Sequence, residues 1–84
     1  MYGIAILDSG NYALRLCRLL ENKGYIFEVI STPCQIAKHG CSYSLKFPLE
    51  YMNVVIREAE LNNMRIEIYR VEPHLTKNRY VRIY

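Results

Sequence analysis

The sequence predicts an α+β domain: a ferredoxin-like βαββαβ sandwich, with a four-stranded antiparallel sheet and two helices on one face. Three observations predict it. The spacing of apolar residues switches between period two and period 3.6 in the order strand, helix, strand, strand, helix, strand. Turn and capping residues stand at most of the switches. And 84 residues leave room for a single hydrophobic core. The chain 1–84 is therefore expected to be one domain, with a core over about 2–71 and a C-terminal extension over 72–84.

Tyr2–Leu7 is a short, isoleucine-rich apolar run that ends in Asp8, Ser9, Gly10 and Asn11, and it reads as a buried strand followed by a turn. Asp8, Ser9 and Asn11 all suit a helix N-cap, because each side-chain oxygen can accept from a free first-turn amide. From Tyr12 the period becomes helical. Ala13, Leu16, Cys17 and Leu20 fall on one face, with Arg15, Arg18 and Asn22 opposite. Gly24 fits the left-handed residue that closes a helix. Cys17 is then a small buried hydrophobe rather than a reactive thiol.

A second strand is expected over Tyr25–Ile30, with Ile26 and Ile30 opposite Tyr25, Phe27 and Val29. After a long loop, Tyr43, Leu45 and Phe47 alternate inward against outward Ser44 and Lys46. Pro48 suits the first turn of a second helix, whose apolar stripe is Met52, Val55, Ile56 and Ala59. Asn62 and Asn63 close it, since Asn tolerates the left-handed conformation next best after Gly. The run 65–71 alternates again, Pro73 interrupts it, and Tyr80–Tyr84 reads as a fifth strand or an extended tail.

The bulk numbers narrow the function classes. A formal net charge of +3, spread along the chain with a modest excess at Lys77, Arg79 and Arg82, is mild for a nucleic-acid module. Eight tyrosines could stack bases on a sheet. Yet the segment 43–47 lacks the basic residue and glycine of the RNA-binding strand signature, so no nucleic-acid partner is expected. No apolar run approaches the ~20 residues that span a bilayer, and no membrane association is expected. The first eight residues carry no secretory signal, so the expected location is cytoplasmic, with mostly reduced thiols. Three cysteines, an odd count, argue against a disulfide scaffold. A domain this small is marginal alone, and a homodimer is expected.

The segment Ser31–Cys41 is where the chemistry concentrates. Eleven residues are many for joining neighbouring strands, and such loops tend to be functional or disordered. This one holds Cys34, His39 and Cys41, with few charges, which argues against disorder. The topology makes the first two strands parallel and brings the loop to the N-terminal end of the first helix. There Cys41 would lie near the amides of Ser9, Gly10 and Asn11. A cysteine facing a helix N-terminus, with Lys38 and His39 nearby, has more thiolate, and Gly40 would let the chain turn and leave the sulfur uncovered. Cys41 could instead point into the core.

Cys34 has three readings: a resolving thiol for Cys41, a share in a metal site, or a plain loop thiol. A metal site would combine Cys34, His39 and Cys41 with His74, but that spacing matches no usual zinc pattern, so no metal is expected. No cofactor is implied. Ser, Asp and His are too scattered to argue a hydrolase triad, and the turn 8–11 resembles no glycine-rich phosphate loop.

These pieces resemble a family of short bacterial domains, the selenium/sulfur carrier-like proteins. The resemblance rests on Ser9 before the helix, on Pro33 and Ile36 in the loop, on Gly40-Cys41, and on Leu45, Lys46, Phe47 and Pro48 in the following strand. It covers about residues 3–71. It implies a loop thiol, carried over to Cys41, that holds sulfur or selenium between donor and acceptor proteins. The family pattern has glycine after this cysteine, where Ser42 stands here. Cys34 is an addition to that pattern. The expected function is thus a sulfur or selenium carrier using Cys41 as thiolate, with Cys34 as a second thiol and Ser9, Gly10, Asn11, Lys38, His39 and Gly40 around the cargo. The alternative is a non-catalytic homodimeric binding module that uses the sheet face away from the helices.

Overall fold

A computed structural model describes residues 1–37 and 42–84. The elements run β1 (Tyr2–Leu7), α1 (Gly10–Glu21), β2 (Glu28–Ser31), β3 (Tyr43–Pro48), a 3-10 turn (Leu49–Tyr51), α2 (Met52–Leu61), β4 (Ile66–His74) and β5 (Lys77–Arg82). All five strands form one sheet in the order β2-β3-β1-β4-β5, every neighbouring pair antiparallel. The fold is therefore α+β with two helices and five strands. The four-stranded count is corrected: residues 77–82 add a fifth strand beside β4.

One face of the sheet carries the main core. β1 sends Ala5 and Leu7 to it, β3 sends Leu45 and Phe47, and β4 sends Ile68. Against them α1 lays Ala13, Leu16, Cys17 and Leu20, all buried, as its i, i+3, i+4, i+7 spacing requires. From α2 come Val55 and Ala59. The same helix buries Glu58, whose carboxylate receives Lys23 from the end of α1 at 2.6 Å. That ion pair ties the two helix ends together on the outside of the core.

Both helices stop in the same way. Gly24 takes a φ of 93° and Asn63 one of 54°. The next amides, of Tyr25 and Met64, return to the carbonyls of Leu20 and Ala59, each at 2.9 Å. A left-handed residue with this long return bond satisfies carbonyls that the last turn leaves free.

Two strand boundaries differ from the sequence expectation. β2 begins at Glu28 rather than Tyr25. Tyr25 and Phe27 instead join an aromatic cluster with Phe47 and Tyr51, centroids 5.7–6.1 Å apart, that closes one side of the core. Pro73 does not interrupt β4, which runs through it to His74. The amide and carbonyl of Ile68 bond to residues 83 and 84, so by alternation Pro73 turns its nitrogen away from β5. β1 has already ended there, opposite Val71, and the missing N–H breaks no ladder bond. Leu75 and Thr76 then make a two-residue turn into β5.

The opposite face is not bare. Ile36 folds down from the loop onto Ile4 and Val71, forming a second, smaller buried cluster. Ile6, Ile30, Tyr69 and Tyr80 pack around its rim, partly exposed. Among the described residues, no helix is long and apolar enough to cross a membrane.

Candidate functional site

β1 hands the chain to α1 through Asp8 and Ser9, and a cleft of about 840 Å³ opens at this end of the sheet. Asp8, Ser9 and Gly10 form one wall, while Thr32, Ala37 and Ser42 form another. The remaining sides come from the end of α2, the start of β4, and Arg82 and Tyr84 of the C-terminal segment.

Ser9 is the N-cap of α1. It is extended (φ −153°, ψ 164°), and its hydroxyl accepts from the Tyr12 amide at 3.3 Å. Gly10 follows for a steric reason. A Cβ there would lie 3.1 Å from the Tyr43 ring and 3.5 Å from the Tyr43 nitrogen. A side chain there would press on the Tyr43 ring, because the start of β3 runs close beside the first turn of α1. The segment that returns from the loop is thereby held against the helix N-terminus, whose free amides carry partial positive charge.

The base of the loop is closed by hydrogen bonds. The Thr32 amide donates to the Ser42 carbonyl at 2.8 Å. The Thr32 hydroxyl lies 3.1 Å from the Ser42 hydroxyl and 2.5 Å from that of Ser44. Ser44, expected to face solvent, is fully buried. Alternation put it on the correct face of β3, and the returning loop covers that face. Lys46, its outward neighbour, stays half-exposed, with its ammonium 4.2 Å above the Tyr2 ring. Between the stems, the Pro33 carbonyl accepts from the amides of Ile36 and Ala37, both at 3.0 Å, and this turn directs Ile36 onto the sheet.

The sequence-predicted site residues are placed unequally. Ser9 and Gly10 line the cleft, whereas Asn11 lies with Leu14 and Arg15 in a separate shallow groove on the outside of α1. Cys34 is exposed on the turn after Pro33 and is not part of the cleft wall. Lys38, His39, Gly40 and Cys41 lie outside the described residues. Cys17 is buried on the core face of α1, where its thiol donates to the Phe27 carbonyl at 3.6 Å and approaches Glu21 at 3.9 Å. Burial, reinforced by the Glu21 carboxylate, pushes this thiol up from its ordinary value, against a smaller opposing effect of Arg18. Both burial and the raised pKa disfavour its thiolate form.

His74 ends β4 at the hairpin, eight residues beyond Ile66 at the cleft, which is about 26 Å along an extended strand. Among the described residues, no three His, Cys, Asp or Glu side chains are grouped to hold a metal ion.

Charge at the cleft is mixed. Arg65 meets Asp8 at 3.5 Å, with both largely exposed, and Arg82 meets Glu67 at 3.9 Å. The Tyr69 hydroxyl also reaches Glu67, at 3.4 Å. Sequence reasoning missed the Thr32, Ser42 and Ser44 hydroxyls and the contribution of Arg82. A signal for the first was present: hydroxyl residues bracket the loop at both stems, where paired strands must bring them together.

No curated protein and no solved structure matches the chain. The model of the family described as "Putative Se/S carrier protein-like" matches residues 2–70. With β1 through most of β4 and both stems of the loop inside that span, the chain belongs to this Se/S carrier-like family.

Proposed function

We propose that the chain carries sulfur or selenium on Cys41, in the cleft at the N-terminus of α1. One observation carries the reading. Ala37 and Ser42, the described residues on either side of the segment 38–41, line the same cleft as Ser9 and Gly10. The family membership points to the same chemistry. In the transfer step the Cys41 thiolate attacks the outer sulfur of a donor persulfide, R–S–SH. The donor S–S bond breaks, a new S–S bond forms on Cys41, and R–S⁻ leaves, with no net redox change. Selenium follows the same route from R–S–SeH. The first-turn amides of α1, with Lys38 and His39, favour the anionic forms.

Cys34 serves as the second thiol. Its thiolate attacks the Cys41 sulfur of the loaded protein, hydrosulfide leaves, and a Cys34–Cys41 disulfide remains for a thiol reductant to reopen. The domain working this way is a cytoplasmic ferredoxin-like sandwich. Its βαββαβ unit is extended by β5, and it meets donor and acceptor proteins at the cleft.

The test is persulfide loading followed by intact mass. Cys34→Ala protein, in which the resolving step is blocked, should gain one sulfur atom from a low-molecular-weight persulfide, and Cys34→Ala/Cys41→Ala should gain none. Equal loading of both sinks the reading. The second reading, a homodimeric binding module, is favoured by Ile6, Ile30, Tyr69 and Tyr80, which stay partly exposed around Ile36. A solution mass of one chain at micromolar concentration would remove it.

A further inference from the structure

We infer that Ser42 is a hydrogen-bond donor to the anion carried in the cleft, aimed there by a chain of hydroxyls that begins at buried Ser44. The inference rests on the carrier reading above. Ser44, Thr32 and Ser42 stand in line, with oxygen separations of 2.5 and 3.1 Å. Each hydroxyl has one proton to donate and lone pairs to accept with. Two links therefore use two protons out of three, and the position of the third is set by burial.

Ser44 has no exposed surface, and Thr32 is 7% exposed. If Ser44 accepted from Thr32, its own proton would be enclosed with no acceptor among the described residues. Packed interiors avoid that arrangement. Ser44 therefore donates to Thr32, and Thr32 donates to Ser42. The remaining proton is that of Ser42, the one member of the three that is half-exposed, and it lines the cleft.

The backbone fixes where this proton is offered. Thr32 N–H holds the Ser42 carbonyl at 2.8 Å, and the next residue, Tyr43, is packed against Gly10. An O–H held here favours a charged acceptor over a neutral one, because a hydrogen bond to an ionised group is about twice as strong. It thus favours a terminal sulfur or selenium anion over its protonated form, and a thiolate over a thiol. Thr32 and Ser44 are positioning residues: they act only through Ser42.

The experiment is the pH profile of iodoacetamide alkylation at Cys41 in the full chain, read by peptide mass spectrometry, with Cys34 as internal reference. Ser42→Ala should raise the apparent pKa of Cys41 by about one unit, roughly tenfold less thiolate below it, and leave the Cys34 profile in place. Ser42→Thr keeps the hydroxyl and should restore the wild-type profile. Ser44→Ala frees Thr32 to accept from Ser42 and should shift Cys41 the same way by a smaller step. Thr32→Val provides the same check if Ser44→Ala does not fold. The inference is overturned by an unchanged Cys41 profile in Ser42→Ala, by an equal shift at Cys34, or by a Cys41 that does not alkylate. An unchanged profile in a protein that still loads sulfur removes the donor role alone. A shifted profile without loading removes the carrier reading and leaves the donor role standing.

Discussion

The two faces of the sheet are closed by different means. On one, Ala5, Leu7, Leu45, Phe47 and Ile68 meet two helices whose apolar stripes were built for them. On the other, among the described residues, Ile36 from the loop covers Ile4 and Val71, and hydroxyls meet beneath the loop stems. The first face is redundant, since many residues share its burial. Among the described residues of the segment that borders the cleft, the second draws on Ile36 and on the hydroxyls of Thr32, Ser42 and Ser44. The larger buried cluster thus lies on the helical side and the smaller one on the other.

The largest effect expected from this asymmetry is on the helical face. Leu16→Ala, at a fully buried position, should cost about 3–5 kcal/mol. That is a large part of the ~4–13 kcal/mol that a domain of this size commands. Urea unfolding followed by circular dichroism should show a collapsed midpoint, and a loss below about 1 kcal/mol would mean the helical face is not the main core. Ile36→Ala should cost less, about 1.5–2.5 kcal/mol, since it sits in a small cluster. Its sharper signature is local: proteolysis should nick the 33–42 segment while the helices stay protected from hydrogen exchange. Global unfolding at the same rate would erase the distinction between the faces.

A third expectation concerns Cys17. Its thiol titrates above its unfolded value of 9.0, so its contribution to stability is fully present below pH 9.0 and is lost as pH rises toward the folded value. The urea midpoint should decline above pH 9.0, and Cys17→Ala should flatten that limb. An identical decline in both proteins would assign it elsewhere. The smallest effect is at the β4–β5 turn, far from either cluster. Leu75 is 96% exposed with a φ of 46°, a conformation that suits glycine. Leu75→Gly should raise stability by about 0.5 kcal/mol, or ~2–4 °C in melting temperature, by calorimetry. A lower melting temperature would show that the turn carries no strain.

The helical face was legible in the sequence because its signals are local and repeated. The period of Ala13, Leu16, Cys17 and Leu20 names its own buried side, and Gly24 and Asn63 mark the ends. Aromatic residues misled at Tyr25 and Phe27, where strand propensity lost to packing with Tyr51. Pro73 misled because its effect depends on which side of the strand has a neighbour, a property of the sheet rather than of the residue. The second face was harder to read for a related reason. Period-two alternation correctly turned Ser44 away from the helices, yet what lies over that face comes from residues ten or more positions away. Within the site, the placement of Ser9 and Gly10 was readable from capping chemistry and topology. The hydroxyl chain requires knowing which strands are paired.

Residues 77–84 lie beyond the span shared with the family, yet Arg82 and Tyr84 line the cleft, and β5 turns β4 from an edge into an interior strand. The outer boundary of the sheet therefore belongs to a strand outside the shared span, with Lys77 and Arg79 exposed at the margin, where charge discourages further strand addition. Changes in its length or charge would reshape one wall of the cleft without altering any residue of the 2–70 unit. The shared unit and one wall of its cleft can therefore vary separately, because they lie on opposite sides of the family boundary.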